Sequence, residues 1–366
     1  MEEFLSSSFN RFNSNDYTDF TIVMGNESCD LDSAISSIVY ASFLNWKNGG
    51  KTEKELFIPF LDVEREDFPL KTEVEFCLKK YNISESYLLF RNEIDFKNLM
   101  KTKNIKLILV DHHVLSTKYD FLLPFVKEII DHRPLDRKKW SYNDNLLYKI
   151  VIVGSCSTLI GQKIKENNGN FFKKYPICVN LLHCAIILDT VNFSKEVNKA
   201  TPLDDEIVVY LESLLKLNDF ENERKTLLEN LVKARSDVSK LSAEQLLRKD
   251  LKIVNYILVP SFPILAKDFL EKSESIESVT KVLEQRDCTI ALLLGMDLNE
   301  GLKRDGVIIS KEETKGEELS KFLQNWSSPA LDLVFYPQIN RFYFKQLNLS
   351  ASRKQYMPAL NEFINK

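Results

Sequence analysis

The chain has 366 residues, enough for two domains with ample core, and its net charge of −4 offers no global basic field to nucleic acid. Hydrophobic residues at 44% and charged residues at 28% are ordinary for a globular chain, and no apolar run approaches the length of a membrane span. Six cysteines (Cys29, Cys77, Cys156, Cys178, Cys184, Cys288) show no CxxC pairing, which argues against a zinc knuckle or disulfide scaffold and for reduced thiols. The opening residues, MEEFLSSSFNRFNSNDYTD, have neither a secretory apolar core nor an Arg-rich transit character and read as a short arm of a cytoplasmic protein.

The first predicted strand covers 20–24 and runs into GNESCDLDS and a helix over 31–47, whose Ile35, Ile38, Val39, Ser42 and Phe43 share one face. Asp30 and Asp32 fall at that helix start, where either one alone reads as a cap. Both together exceed what one cap needs, and carboxylates facing others across a cleft call for a hard divalent cation. Strand 55–62, helix 70–80, strand 87–90 and helix 95–101 follow. Then come two apolar runs, 107–110 and 128–130, that end on Asp111-His112-His113 and Asp131-His132-Arg133. Strands alternating with short helices predict an α/β fold, a parallel sheet with helices on both faces and its chemistry at the carboxyl ends of the strands. The chain has four histidines, three of them between residues 112 and 132, so these strand ends read as a metal or phosphate site.

A strand over 147–153 leads into Gly154, Ser155 and Ser157, which read as a helix cap, although a helix N-terminus is also an anion site. The apolar segment 177–188 predicts a buried helix that ends in Asp189, an acid in need of a partner, with His183 as a hydrogen-bonded core residue. A hydrophilic helical stretch over 203–234 reads as a connection. The expected division is a domain over 1–190, a helical connection over 191–235 and a smaller α+β domain over 236–366, with strands at 251–258, 288–296, 306–310 and 342–347.

Four motifs in order, GNESCDLDS, LILVDHH, IIDHRP and ILDTVNF, with LSAEQLLRKDLK and SASRKQYMP in the second half, resemble the DHH phosphoesterase superfamily over nearly the whole chain. The resemblance is to the branch of family II inorganic pyrophosphatases, yeast-type exopolyphosphatases and prune-like proteins. DHR in the third motif, FRNEID, VDHHVLS and NKATP are similar to the prune-like members.

The resemblance implies a centre of two divalent metal ions, Mg²⁺ favoured and Mn²⁺ possible. Asp30 would bind the first, Asp32, His132 and Asp189 the second, and Asp111 would bridge them. Asn26 stands where pyrophosphatases have a metal-binding His, which leaves an all-oxygen first site. Arg133 replaces the second His of a DHH triplet; it can grip phosphate but cannot serve as a proton donor. The substrate-contacting set is Asn26, His112, Arg133, Lys252, Arg353 and Lys354, the last three from a second domain that closes over the metals. Cations at the start of the last helix oppose its dipole and call for an anionic partner.

The implied activity is metal-assisted phosphoanhydride hydrolysis, with short-chain inorganic polyphosphate cleaved from its end as first substrate. Pyrophosphate or a cyclic nucleotide is the alternative, and a low-activity binder of phosphorylated ligands or proteins is a reading of another class. The expected partner is a small anionic phosphate compound, with no nucleic acid and no membrane. Protein partners stay open, and the expectation is that this chain, read to Lys366, lacks the longer C-terminal tail that prune-like animal proteins use for them.

Overall fold

Short runs of Val, Ile, Leu and Phe pair side by side in the first half of the chain, as near-continuous apolar strands do when both faces of a sheet are buried. In the computed structural model, which describes residues 1–49, 54–138, 140–142, 146–215, 219–297 and 301–365, the chain divides into two units, Met1–Arg235 and Ser236–Lys366. Lys366 itself lies outside the described residues. The first unit runs α1 (Glu2–Ser14), β1 (Asp19–Met24), α2 (Leu31–Asn48), β2 (Glu55–Leu61), α3 (Thr72–Lys80), β3 (Leu89–Phe90), α4 (Phe96–Thr102), β4 (Asn104–Val110), β5 (Val126–Asp131) and β6 (Leu147–Ile150). It continues with α5 (Cys156–Asn168), α6 (Asn170–Lys174), α7 (Pro176–Asp189), α8 (Pro202–Leu215) and α9 (Phe220–Ser236).

Its six strands pair in the order β3-β2-β1-β4-β5-β6, all parallel. After β1 the chain moves outward to β2 and β3, then returns to the other side of β1 as β4. The crevice between the carboxyl ends of β1 and β4 is therefore the point where winding reverses, the usual ligand position in such sheets. Strand residues alternate between two cores. Phe20, Ile22 and Met24 pack with Phe96, Leu99 and Leu122, while Val23, Ile108 and Ile130 pack with α2, α5 and α7.

The second unit contains α10 (Ala243–Lys249), β7 (Leu251–Val254), β8 (Ile257–Phe262), α11 (Ala266–Leu270), α12 (Ser275–Gln285), β9 (Ile290–Asp297), β10 (Lys303–Ser310), α13 (Glu313–Gln324), β11 (Leu333–Phe335), β12 (Tyr343–Gln346) and α14 (Arg353–Ile364). Its sheet order is β11-β12-β10-β9-β8-β7, antiparallel except where β8 meets β9. Among the described residues no helix is long and apolar enough to cross a membrane.

Four expectations need correction. The N-terminal arm is the helix α1, because Phe4, Leu5 and Ser8 fall on one face and are buried. The strand expected over 147–153 stops at Ile150, and Val153 turns its carbonyl to a histidine instead. The strand expected over 251–258 is a hairpin, with Val254 opposite Ile257 and Asn255 at φ 56, a conformation Asn tolerates. The helical connection over 191–235 is not a bare link, since Ile207, Val208, Leu211, Leu227 and Leu231 of α8 and α9 are buried in the core of the first unit.

Candidate metal centre

Three groups named by the sequence meet at the crevice. Ligand atoms of Asp32, Asp111 and His132 all lie within 4.8 Å of one another. Asp32 sits in the first turn of α2, Asp111 just beyond β4, and His132 just beyond β5. His132 Nε2 stands 3.1 Å from Asp111 Oδ1 and 3.8 Å from Asp32 Oδ2.

Asp111 pays a conformational cost for its position. Its φ of 62 places a non-glycine residue in the left-handed region, about 1–3 kcal/mol of local strain. Asn26, at the end of β1, offsets it by donating from Nδ2 to the Asp111 carbonyl at 3.2 Å and to Oδ2 at 2.6 Å. The other oxygen, Oδ1, is buried and has no hydrogen-bond partner; the 3.1 Å approach of His132 lacks hydrogen-bond alignment. A buried carboxylate oxygen left open toward a carboxylate and an imidazole fits a divalent cation, and the donor set of oxygen and imidazole nitrogen suits Mg²⁺ or Mn²⁺.

The electrostatics agree. Burial and the Asp32 charge push Asp111 up to about 7, and burial with Asp32 pushes Asp189 up to about 8. His132 goes the other way from what its burial favours, because Asp111 and Asp32 raise it to about 9. Asp32 likewise resists its burial and is held below the usual carboxylate range by His132 and by Ser157, Ser155 and Cys156. Of the three carboxylates, Asp32 is the one whose surroundings favour the charged form.

The remaining candidates divide. Asp30 caps α2, accepting from Ser33 N–H at 3.1 Å, and Asp189 pairs with Lys199 at 3.4 Å; neither joins the three-residue group, though the Asp30 charge acts on Asp111 and Asp189 is hydrogen-bonded to Asp32. Arg133 is half exposed with Nη2 3.5 Å from Asp111 Oδ1. His112 Nδ1 meets the Val110 carbonyl at 3.0 Å, and burial lowers the pKa of its imidazole. Arg133, His112, Asn26, Ser28, Asp62 and Tyr119 line a cleft of about 430 Å³. Asn26, expected to contact substrate, spends its amide nitrogen on Asp111 and its carbonyl on Ser28 N–H at 2.9 Å.

In the second unit Lys252 on β7 and Lys354 on α14 are exposed. Arg353 has its anionic partner within the same unit: its guanidinium meets the Asp250 carboxylate at 2.6 Å and the Val259 carbonyl at 3.1 Å. The two family-like motifs of the second half are thereby joined to each other.

Sequence reasoning missed the brackets behind these groups. Asp131 does not enter the cluster; it accepts from His132 N–H at 2.7 Å and Arg133 N–H at 3.2 Å while pairing with buried His113, and so fixes the turn that carries His132. Its position at a strand end was the available signal, read for the wrong role. Ser155 and Ser157 do not cap their own helix, since no side-chain cap bond is made there; they face Asp32.

Comparison with known proteins agrees with this architecture. Residues 229–363 match the DHHA2 domain family. Exopolyphosphatase PRUNE1 of Rattus norvegicus is 33% identical over 352 residues, covering 94% of this chain and 75% of the relative. Its counterpart in Homo sapiens is 32% identical over 356 residues with the same coverage. The manganese-dependent inorganic pyrophosphatase of Bacillus subtilis is 25% identical over 291 residues, 76% of this chain and 82% of the relative. A parallel sheet with acid and imidazole at its switch point, followed by a DHHA2 domain, is the make-up of a DHH-type phosphohydrolase. Within that class the chain belongs to the prune-like family of exopolyphosphatases, hydrolases of phosphoanhydride bonds.

Proposed function

We propose that this chain removes terminal phosphate from short-chain inorganic polyphosphate with bound divalent cations, Mg²⁺ before Mn²⁺. The observation that supports the reading most is the open Oδ1 of Asp111, buried and directed at Asp32 and His132. When bound, two divalent cations supply a water of lowered pKa and neutralise phosphoryl charge. Asp32, Asp111 and His132 would hold them, with Asp30 and Asp189 completing the set.

The chain's other groups then handle the substrate. Arg133, half exposed beside Asp111, offers a planar fork to phosphoryl oxygens in the cleft and stays charged throughout. The Val110 carbonyl can only accept, so His112 Nδ1 carries the proton and Nε2 is an acceptor, suited to taking a proton rather than giving one. Asn26 keeps Asp111 oriented. In the second unit Lys252 and Lys354 are exposed cations suited to phosphate, whereas Arg353 is held by Asp250.

The test is phosphate release with Mg²⁺ from tripolyphosphate, tetrapolyphosphate, pyrophosphate and cyclic AMP, by the wild type and Asp111→Asn. Release from the short polyphosphates that disappears in the variant is expected. Preferential cleavage of cyclic AMP would move the assignment to a nucleotide phosphodiesterase. No release from any of them with Mg²⁺ or Mn²⁺ would leave a ligand-binding role.

A further inference from the structure

The five residues 153–157, between β6 and α5, touch two of the three converging groups. Val153 gives its carbonyl to His132 Nδ1 at 3.0 Å. Two positions on, Ser155 Oγ donates to Asp32 Oδ1 at 2.7 Å, Cys156 N–H to Oδ2 at 2.6 Å and Ser157 N–H to Oδ1 at 2.8 Å. Ser36 Oγ adds a longer bond to Oδ1 at 3.4 Å and itself meets Ser157 Oγ at 3.0 Å. Asp32, Ser155 and Ser157 are all buried.

We propose that residues 153–157 form a clamp that selects which atoms of Asp32 and His132 meet a divalent cation, with Ser155 as a positioning residue. The proposal rests on Asp32, Asp111 and His132 being the cation's ligands. Three donors on Asp32 Oδ1 exceed its two lone-pair directions, so that oxygen has nothing left for a cation. Oδ2 takes one donor and keeps one direction, toward His132 Nε2. Asp32 therefore binds through Oδ2 alone. The Val153 carbonyl can only accept, which places a proton on His132 Nδ1 and leaves Nε2 as the ligand atom. Ligand choice on two separate elements, the start of α2 and the turn after β5, is thus made by one segment.

The clamp is itself anchored. Gly154 N–H donates to Asp204 at 2.8 Å, and this buried carboxylate also accepts from Thr158 Oγ1, Thr201 N–H and Thr201 Oγ1 at 2.5, 2.7 and 2.7 Å. A Cβ at residue 154 would stand 2.6 Å from Thr190 Cγ2 and 3.0 Å from Asp204 Oδ2, so only glycine lets the segment lie this close. An ordinary cap would not explain this, because the Ser155 side chain makes no cap bond to its own helix and donates to Asp32 instead.

The experiment is Mn²⁺ binding to the full chain, by electron paramagnetic resonance and titration calorimetry, for wild type, Ser155→Ala and Ser155→Thr, with melting curves to establish folding. Ser155→Ala is expected to weaken Mn²⁺ roughly 10–100-fold and alter the spectrum of the bound ion, while Ser155→Thr, which keeps the hydroxyl, restores both. Wild-type affinity and spectrum in Ser155→Ala would overturn the clamp and leave the ligand assignment standing. No saturable Mn²⁺ binding by the wild type would overturn both. If Ser155→Ala does not fold, Ser155→Thr against Ser155→Val decides the question, since these differ by the hydroxyl at constant shape; equal Mn²⁺ affinity in the two overturns the clamp.

Discussion

Two carboxylates face the crevice between β1 and β4, and the protein treats them in contrary ways. Asp32, in the first turn of α2, takes donors from Ser155 and the first residues of α5 and is held charged. Asp111, on a strained turn after β4, has one oxygen pinned by Asn26 and the other buried without a hydrogen-bond partner beside His132 and Arg133, and is pushed up to about 7. The first is a fixed anchor, with one oxygen fully bonded and the other held in place. The second is a deficit that a cation or a proton fills, and that difference is what suits the site to a divalent metal.

The largest test of this contrast is Asp111→Asn. Removing the deficit should lower phosphate release on the order of 10³-fold, the loss of several kcal/mol of cation-based stabilisation. The same variant should melt no lower than the wild type when both are stripped of metal, because it replaces a carboxyl whose ionisation burial and the Asp32 charge disfavour. Activity near wild type would contradict the assignment.

Next in size is the Ser155 series already described, which attacks the anchor. Arg353→Ala probes the second unit, where the guanidinium is spent on Asp250 and Val259. It should destabilise by about 1–3 kcal/mol in chemical denaturation, whereas Lys354→Ala should leave stability alone and raise KM. The reverse pattern, a raised KM with full stability in Arg353→Ala, would make Arg353 a substrate ligand after all.

The smallest effect is on pH dependence. Asp111 ordinarily titrates at 3.8 and in the metal-free fold at about 7, so between those values the folded protein keeps a proton that the unfolded chain has released. Asp189 acts with the same sign up to about 8, and His132 from 6.5 to about 9. Stability of the chelated protein should therefore fall as pH rises from about 4 toward 8, and saturating Mg²⁺ should cancel the fall. Asp111→Asn should flatten the lower part of the curve. Parallel curves for variant and wild type in denaturant titrations would show that Asp111 is not the group that resists ionisation.

Much of this was legible because strand ends are local. An apolar run broken by Asp-His announces itself in a few residues, and Asp32, Asp111 and His132 do converge as that pattern suggests. The cations of SASRK were legible in kind, since a helix start that carries them needs an anion, but nothing in the sequence identifies that anion as Asp250. Two expectations failed for want of tertiary information. Ser155 and Ser157 look like a cap because the carboxylate they serve lies more than a hundred residues earlier. The run 251–258 looks like one strand because apolar residues continue on both sides of Asn255, where a single positive φ reverses the chain. The buried faces of α8 and α9 were masked by the charges between them, which composition counts and packing ignores.

The most direct measurement of the central claim is anomalous diffraction from crystals of the full chain loaded with Mn²⁺. The account predicts an ion ligated by Asp111 Oδ1, Asp32 Oδ2 and His132 Nε2, with Asp32 Oδ1 still bound to Ser155 and Ser157. An ion held by Asp32 Oδ1, or an anomalous peak elsewhere with Asp111 Oδ1 still open, would contradict it.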